Sequence, residues 1–213
     1  MTTFLEFKNL IYTNLARDAN DAAAVLVVPK AINHALSAAA VMFKPPELYT
    51  SADVVLLSGT TSIEFGTAYI DILEVQNSTT DIILRYLQYE SFHLIKPTLT
   101  TIKYYSIFGN DIYTNISIVG DTTLKVMYLA YPAELSADDA SPEFSQHDSF
   151  IVSMATAICW ATFEESDAVN MWASVSTALG ESLIQAAQAR EIVAGKPIYT
   201  EAAMTGSLKS LGG

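Results

Sequence analysis

The first 45 residues carry apolar side chains at helical spacing and predict two helices. Thr3 is followed three residues later by Glu6, the capping-box spacing that satisfies two free backbone donors at a helix N-terminus. The second helix is predicted to begin at about Asn20 or Asp21 and must end before Pro45-Pro46. Pro29 lies inside it, removes a backbone donor, and predicts either a kink or a fresh start of the helix there. The apolar positions repeat every three or four residues, at Phe4, Phe7, Ile11 and Leu15 and then at Val25, Val28, Ile32, Leu36, Ala39 and Phe43.

From about Val54 to Tyr131 the pattern changes to β-branched and aromatic residues with Thr-rich, Gly-containing breaks, which predicts strands. Ile112, Ile116 and Ile118 alternate with polar or aromatic residues, as in a strand with one buried face. Gly109-Asn110 and Gly120-Asp121 stand where tight hairpin turns fall, so we expect an antiparallel meander. Between its halves, the leucine spacing from Asp81 to Ile95 fits a short helix better than a strand.

Two longer helices are predicted after a polar loop. Ser145, with Asp148 three residues later, caps the first, which is apolar on several sides and therefore buried. Asp167 caps the second, which ends at Gly195. The residues from Pro197 onward have little periodicity and predict an extended tail. The predicted fold class is α+β, mainly α: residues 1–45 and 143–195 form a helical bundle, residues 50–135 form a central antiparallel β-rich insertion, and residues 196–213 form an extended C-terminal tail.

The composition adds a prediction about partners. Charged residues make up 16% of the chain and apolar residues 51%, so it is more hydrophobic than most soluble monomers. We therefore expect some apolar surface to be buried against other subunits. The formal net charge of −12 repels a polyanion, which argues against a grip on nucleic acid.

Cys159 is the only cysteine, which excludes an intramolecular disulfide and a cysteine metal cluster and suits a reducing compartment. The N-terminus lacks a basic region followed by an apolar run. The most hydrophobic windows, around Ala22–Val28 and Phe150–Phe163, are shorter than a membrane span. We expect synthesis in the cytoplasm, without secretion or membrane insertion.

The patterns that could carry chemistry have simpler explanations. His147-Asp148-Ser149 contains the residue types of a hydrolytic triad, but neighbours on a helix point about 100° apart and cannot hydrogen-bond in series. Glu90 and His93 have the spacing of half a di-iron site, and the second half is missing. Asp138-Asp139 and Glu164-Glu165 are adjacent acids, which we expect to be solvated or to face a helix terminus.

Other motifs are equally uninformative about catalysis. The sequence has no GxGxxG, P-loop or GxSxG motif to support nucleotide binding or serine-hydrolase chemistry. His34 and His147 lack acidic or histidine neighbours at ligand spacing. Asn77-Ser78-Thr79 and Asn115-Ile116-Ser117 match the glycosylation sequon by chance, since no secretory signal is present. We expect no enzyme activity and no catalytic, cofactor-binding or metal-binding residues.

Three stretches of the sequence have patterns that point to one protein family. The first is Ile32-Asn33 within the Ala-rich stretch Val28–Ala40. The second contains Pro97, Tyr104-Tyr105, Gly109 and Tyr128–Pro132, and the third contains Asp138-Asp139 and Pro142-Glu143-Phe144. In this order they resemble the Ala-rich amphipathic helix, the β-insertion, and the acidic loop before a buried helix and a Trp-containing one in the head-to-tail adaptor proteins of tailed bacteriophages. That group includes tubular tail proteins of short-tailed phages and connector subunits of long-tailed ones.

The resemblance implies a structural virion protein of the neck, without cofactors. It implies a ring, usually of twelve copies, docked beneath the portal protein and above a tail or nozzle protein, with genomic DNA passing through the lumen without specific binding. Some members carry more Lys and Arg than this chain, and an acidic lumen lets DNA slide without adhering. We expect the tail to order on a neighbouring copy or on the portal, with Ile198, Tyr199, Met204, Leu208 and Leu211 as the contact residues.

Two other functions remain open at this point. The first is a head-completion, stopper or tail-terminator protein of the same particle, although these tend to be mainly β without two long C-terminal helices. The second is a non-viral α+β binding or hydrolytic domain. The absence of clustered His, Cys or Ser motifs argues against it, but sites assemble in space and not along the chain.

Overall fold

The computed structural model describes residues 2–94, 101–117, 119–144, 147–163 and 166–193. The described residues form five α-helices and two β-sheets, which confirms the α+β class, whereas the description as mainly α is not confirmed. The chain forms two compact units. One, the β unit, comprises residues 36–146, and the other, the helical unit, comprises residues 2–35 together with residues from 147 onward.

Helix α1 (Phe4–Leu15) begins as the sequence predicts. The backbone N–H of Glu6 donates to the Thr3 hydroxyl (3.3 Å), and the backbone N–H of Thr3 donates to the Glu6 carboxylate (2.7 Å), which completes the capping box. Ala16 ends the helix in the left-handed conformation (φ 51°), and its N–H donates to the Tyr12 and Thr13 carbonyls.

Helix α2 (Ala22–Phe43) follows, and the Asp21 carboxylate accepts hydrogen bonds from the backbone N–H groups of Ala23 (2.9 Å) and Ala24 (3.1 Å) at its start. Pro29 lies inside this helix, so the helix does not begin afresh there. By length and composition α2 could cross a membrane, which the short apolar windows of the sequence did not predict. Its buried positions nevertheless recur at the spacing of a core-facing helix: Ala24, Val28, Ala31, Ile32 and Ala35.

Helices α4 (Asp148–Thr162) and α5 (Ser166–Val193) come after the short helix α3 (Tyr89–Phe92) in the chain. Helix α4 packs against both α1 and α5. The predicted cap of α5 was wrong, because the helix already includes Ser166 and places Asp167 in its first turn, where its charge still faces the positive end of the helix. Ser145, the predicted cap of α4, and Gly195 lie outside the described residues.

The β unit contains two four-stranded sheets. The first has the order β1-β8-β3-β4 and the second the order β2-β7-β6-β5. A 3-10 turn (Pro46–Leu48) precedes β1. The strands are β1 (Tyr49–Leu56), β2 (Ser62–Glu64), β3 (Tyr69–Asn77), β4 (Ile82–Ile83), β5 (Arg85–Tyr86), β6 (Tyr104–Phe108), β7 (Asp111–Thr114) and β8 (Thr122–Ala130).

The predicted meander is only partly right. Strands β6 and β7 do form a hairpin around Gly109 (φ 63°). After Gly120-Asp121, however, β8 pairs antiparallel with β1 and β3 and not with β7. The insertion is also not entirely antiparallel, because β5 pairs with β6 in parallel over two residues. A turn signal fixes where the chain reverses, but it does not fix which strand becomes the partner.

The helix predicted for residues 81–95 is also wrong for most of its length. Strands β4 and β5 occupy its first half, and only the single turn α3 is helical. The N–H of Leu84 donates to the Val75 carbonyl (2.8 Å), and that of Leu87 donates to the Tyr105 carbonyl (2.9 Å). Pairing with neighbouring strands therefore outweighs the local leucine spacing. Ile95 lies outside the described residues.

The two sheets share one apolar core. Ile112 and Ile116 are buried in it, as their alternation predicts, although β7 ends at Thr114 and Ile118 lies outside the described residues. The core consists of Leu56, Phe65, Ile72, Val75, Leu84, Ile102, Tyr105, Ile112, Ile116, Leu124, Val126 and Tyr128.

Candidate interaction surfaces

His147, Asp148 and Ser149 do not form a catalytic triad. His147 is the residue before α4, and Asp148 and Ser149 occupy its first turn. The Asp148 carboxylate accepts a hydrogen bond from the Thr2 hydroxyl, which ties the residues before α1 to the start of α4. Because successive residues in a helix point in different directions, these side chains do not line up for proton relay. Their arrangement is structural.

The Glu90 and His93 pair does not form half of a metal site. Glu90 is exposed, and the His93 ring packs edge-on against Tyr89, with 4.4 Å between ring centroids. Among the described residues, no group of three His, Cys, Asp or Glu side chains could hold a metal ion. His93 is instead part of an aromatic surface.

Both sequon asparagines use their side chains to accept hydrogen bonds from backbone N–H groups. The side-chain oxygen of Asn77 accepts from the backbone N–H groups of Thr79 (3.0 Å) and Thr80 (3.3 Å). That of Asn115 accepts from the backbone N–H groups of Lys103 and Tyr104, both at 3.0 Å. The bonds of Asn77 are the local side-chain to backbone contacts that asparagine commonly makes in turns. Those of Asn115 join the two ends of the β6–β7 hairpin, 11 and 12 residues apart in the chain. Their sequence positions therefore have a structural explanation.

The remaining polar candidates are distributed without a common site. Asp138 and Asp139 are exposed in the loop after β8, as expected, and Glu164-Glu165 lies outside the described residues. Cys159 is fully buried in α4, and burial raises the pKa of its thiol to about 12. A thiol in that environment is a packing group and not a nucleophile.

Four rings cluster on the second sheet and form what we call the aromatic cluster: Tyr89, His93, Phe108 and Tyr113. The ring of Tyr89 stacks on that of Phe108, with centroids 4.5 Å apart and an interplanar angle of 20°. It also meets the Tyr113 ring edge-on at 5.5 Å. Helix α3 packs against β6, which brings Tyr89 to this position. Desolvation and the nearby Asp111 carboxylate raise the pKa of Tyr113.

The aromatic cluster has the composition of a protein contact. Phe108 is 59% exposed although it stacks on Tyr89, so a large part of its ring faces outward. Leu94, next to His93, is 82% exposed. Large rigid aromatic side chains with one open face are the residues that dominate the binding energy of protein interfaces.

A loop tip at one end of the first sheet presents two aliphatic side chains. Leu57 is 57% exposed, and Val119 is fully exposed. The two loops are joined because the Ser58 N–H donates to Asp121 (3.0 Å) and the Gly120 N–H donates to the Ser58 hydroxyl (3.0 Å). The apolar side chains are thus displayed on hydrogen-bonded loops.

The β unit also has an open pocket of about 460 Å³, which we call the tyrosine pocket. Tyr69 and Tyr131 lie at its walls, and Phe65 at its base is buried and contacts the Tyr69 ring at 5.5 Å. Glu64 and Asp111, which are opposite each other in the β2–β7 pair, are not among its lining residues. Its full lining is Phe65, Gly66, Thr67, Ala68, Tyr69, Asn110 and Tyr131.

Helix α5 exposes apolar residues in its first half. Met171 is 55% exposed and Val175 is 40% exposed, one helical turn apart. Of residues 167–185, for which the structure describes the side chains, only Ser176 and Gly180 are buried. This helix therefore offers apolar surface to another molecule.

The structure brings together residues that the sequence did not mark as a group. The side chains of Tyr113 and the buried Ile112 point to opposite faces of β7, and the alternation of residues in the sequence predicts this. Nothing in the spacing of Tyr89 and Phe108 indicates that they stack, because the contact depends on how α3 folds back on β6. The predicted contact residues Ile198, Tyr199, Met204, Leu208 and Leu211 lie outside the described residues.

A family model described as SU10 adaptor protein matches residues 2–198, which is most of the chain. No curated protein matches the sequence.

Proposed function

Since this chain belongs to the SU10 adaptor protein family, a family of phage head-to-tail adaptors, we propose that it is a structural subunit that joins the portal of the capsid to the tail. The observation that carries the proposal is the extent of the family match, which includes both the helical unit and the β unit. The role needs interfaces and no catalytic site. It places the protein in the neck of the virion.

We propose that twelve copies form a closed ring by head-to-tail contacts, in which one surface of each copy meets a different surface of the next. The exposed apolar residues support this. The aromatic cluster, the loop tip at Leu57 and Val119, and the Met171–Val175 stripe of α5 are three separate contact surfaces. A subunit that contacts two neighbours, a portal and a tail protein needs several such surfaces.

The charge of the chain is consistent with DNA passing through the ring without specific binding. Residues 36–146 contain 13 acidic residues against 5 Lys and Arg, a net of −8 out of the total of −12. Acidic side chains that face a lumen repel the phosphate backbone, so that DNA slides and does not adhere. We propose that the β unit contributes to the lining of this channel.

We propose further that the C-terminal tail contacts a neighbouring copy or the portal. The residues that would anchor it are apolar and spaced along an otherwise polar segment: Ile198, Tyr199, Met204, Leu208 and Leu211. A segment that orders only on binding suits assembly in sequence, because the contact forms only when the partner is present.

Solution mass across a concentration series, before and after addition of portal rings, tests the function. We expect the free chain to be a monomer or small oligomer and electron microscopy to show an ordered ring on the portal. Phe108→Ser is expected to weaken assembly at least about fivefold, because it removes an anchor of the aromatic cluster.

Ile83→Ser is the matched control, since Ile83 is also 59% exposed but lies outside that cluster. A chain that ignores portal rings at every concentration contradicts the proposal. Equal loss of assembly in the two variants contradicts the assignment of the aromatic cluster as an interface.

A further inference from the structure

The N-terminal half of α2 exposes a row of side chains on the side opposite its core. Leu26 is 69% exposed, the largest fraction among the large apolar side chains described in the helices. Ala22 and Lys30, four residues before and after it, are exposed too, and residues four apart lie above one another on a helix. We call these three residues the α2 row. The buried positions lie on the other side: Ala24, Val28, Ala31, Ile32 and Ala35.

Helix α5 has an exposed row with the same spacing. Met171 is 55% exposed, the second largest fraction in the same comparison, and Val175 follows one turn later. Asp167, one turn before Met171, is exposed as well. We call Asp167, Met171 and Val175 the α5 row. Each row therefore has a charge at one end, the most exposed apolar side chain of its helix in the middle, and a smaller apolar residue at the other end.

The two rows carry opposite charges. Lys30 is the only charged residue of α2. The charged residues of α5 up to residue 185 are Asp167 and Glu181, and both are acidic. Within the described part of the chain, neither Lys30 nor Asp167 forms an ion pair. The two helices thus present complementary charge next to exposed apolar surface.

We infer that the α2 row of one copy packs antiparallel against the α5 row of the next copy in the ring. The rows then meet in three pairs: Lys30 with Asp167, Leu26 with Met171, and Ala22 with Val175. Rows of residues four apart pack as ridges into grooves, with the helices crossing at about 50°. Because the two rows are different surfaces, each copy can use both at once, which is the head-to-tail contact that closes a ring. The inference rests on the proposed ring and names the surface that α5 meets there.

The charges and the apolar side chains together select this orientation. In a parallel arrangement, Lys30 beside Asp167 places Leu26 opposite a residue that precedes α5. Lys30 beside Glu181 in parallel places Met171 opposite a residue that precedes α2. Either arrangement leaves an exposed apolar side chain without a helix to contact. The antiparallel arrangement with Lys30 at Asp167 brings the ion pair and the two most exposed apolar side chains into the same three turns.

Charge reversal tests the pairing on portal rings. The measured quantity is the chain concentration at which half of the portal rings carry an adaptor ring in electron micrographs. Lys30→Glu and Asp167→Lys each place like charges across the contact, and each is expected to raise this concentration at least about fivefold. Glu181→Lys is the matched control, because it makes the same charge change on the same helix outside the α5 row. It is expected to leave the concentration within about twofold of that of the unmodified chain.

An equal mixture of the two single variants shows whether the contact joins different copies. Where Lys30→Glu and Asp167→Lys copies alternate, every contact pairs the α2 row of one variant with the α5 row of the other, so opposite charges face each other again. An even number of copies, such as twelve, permits complete alternation. We expect the mixture to assemble within about twofold of the unmodified chain. Mixing does not rescue variants that assemble poorly because their fold is destabilised.

The outcomes separate the inference from the function on which it rests. Normal assembly of either single variant overturns the inference, as does a mixture that assembles no better than the variants alone. An equal loss of assembly in Glu181→Lys and Asp167→Lys overturns the proposed register. In each of these cases, rings of the unmodified chain on the portal leave the adaptor function standing. If the unmodified chain forms no ring on the portal, the proposed function fails, and the inference fails with it.

Discussion

Helices α4 and α5 follow each other in the chain and differ sharply in what they bury. Helix α4 has buried residues around much of its circumference, including Phe150, Ile151 and Cys159. Along α5, the described side chains up to residue 185 are almost all exposed or half-buried, and Met171 and Val175 are exposed. The apolar residues of α4 thus stabilise the fold of the chain itself. Those of α5 remain available to stabilise contacts with another molecule.

The largest expected difference between the two helices is in thiol reactivity. Burial raises the pKa of Cys159 in α4 from 9.0 to about 12, whereas a cysteine introduced at the exposed Ser174 of α5 keeps its ordinary pKa. At pH 8 the thiolate fraction then differs by roughly 1,000-fold. We expect the thiol of the Ser174→Cys variant to react with a maleimide at least that much faster than Cys159, measured by mass spectrometry.

The pKa of Cys159 also gives a direction for the pH dependence of stability. A folded-state pKa above the unfolded value means that the folded state holds its proton more tightly. The resulting stabilisation is complete below about pH 9 and is lost as the pH rises towards about 12.

The maleimide experiment has one contrary outcome. If Cys159 in the native chain is labelled as fast as the thiol introduced by Ser174→Cys, α4 is not buried as described.

Side-chain truncation is the next test. Ile151→Ala in α4 removes a fully buried side chain and is expected to lower the free energy of unfolding by about 3 kcal/mol. Met171→Ala in α5 is expected to change it by less than about 0.5 kcal/mol, since its side chain is exposed. Urea denaturation of the free chain measures both. If the two variants lose comparable free energy of unfolding, the two helices do not differ in burial as described.

A double substitution in α5 tests whether its exposed apolar residues contribute to assembly and not to stability. Met171→Glu with Val175→Lys removes the exposed apolar stripe, keeps the net charge and creates a favourable pair one helical turn apart. We expect the stability of the free chain to change by less than about 0.5 kcal/mol. Assembly on portal rings is expected to weaken about tenfold, because the apolar contact is lost. Normal assembly of this variant shows that α5 is not an interface.

The smallest effect concerns α1, which packs against α4. Thr3→Ala removes the hydroxyl that accepts the Glu6 N–H at the start of α1 and is expected to cost about 1 kcal/mol of stability. Thr3→Ser keeps the cap and serves as the control in the same urea experiment. Equal stabilities of the two variants indicate that the capping box does not contribute to the fold.

The sequence predicted the starts of α1 and α2 well because their signals are local. Thr3 with Glu6 and Asp21 each satisfy backbone donors within three residues, so the chain near them contains all the information required. The strand order could not be predicted in the same way. Period-two alternation identifies the buried face of β8, but it is equally compatible with β7, β1 or β3 as the partner.

The interaction surfaces were even less predictable than the strand order. The aromatic cluster depends on the backbone hydrogen bonds of Leu84 and Leu87, because residues 82–86 form strands there and not the predicted helix. This strand pairing leads into α3, where Tyr89 stacks on Phe108. The tyrosine pocket depends on the pairing of β3 with β8, in which Tyr69 lies opposite Ala130, the residue before Tyr131. Both arise from pairing between distant parts of the chain. The family resemblance could be found in the sequence because it rests on short residue patterns that follow one another in a fixed order.

The pairing of β1 with β8 also determines when the first sheet can form during protein synthesis. Leu56 ends β1, and its partner Thr122 is translated about 65 residues later. At a synthesis rate of about 5–20 residues per second, β1 waits roughly 3–13 seconds for its partner. Contacts between distant parts of a chain slow folding. The interval between the synthesis of α1 and that of α4, against which it packs, is longer still. Both units of the chain can therefore complete their packing only after most of the chain has been synthesised.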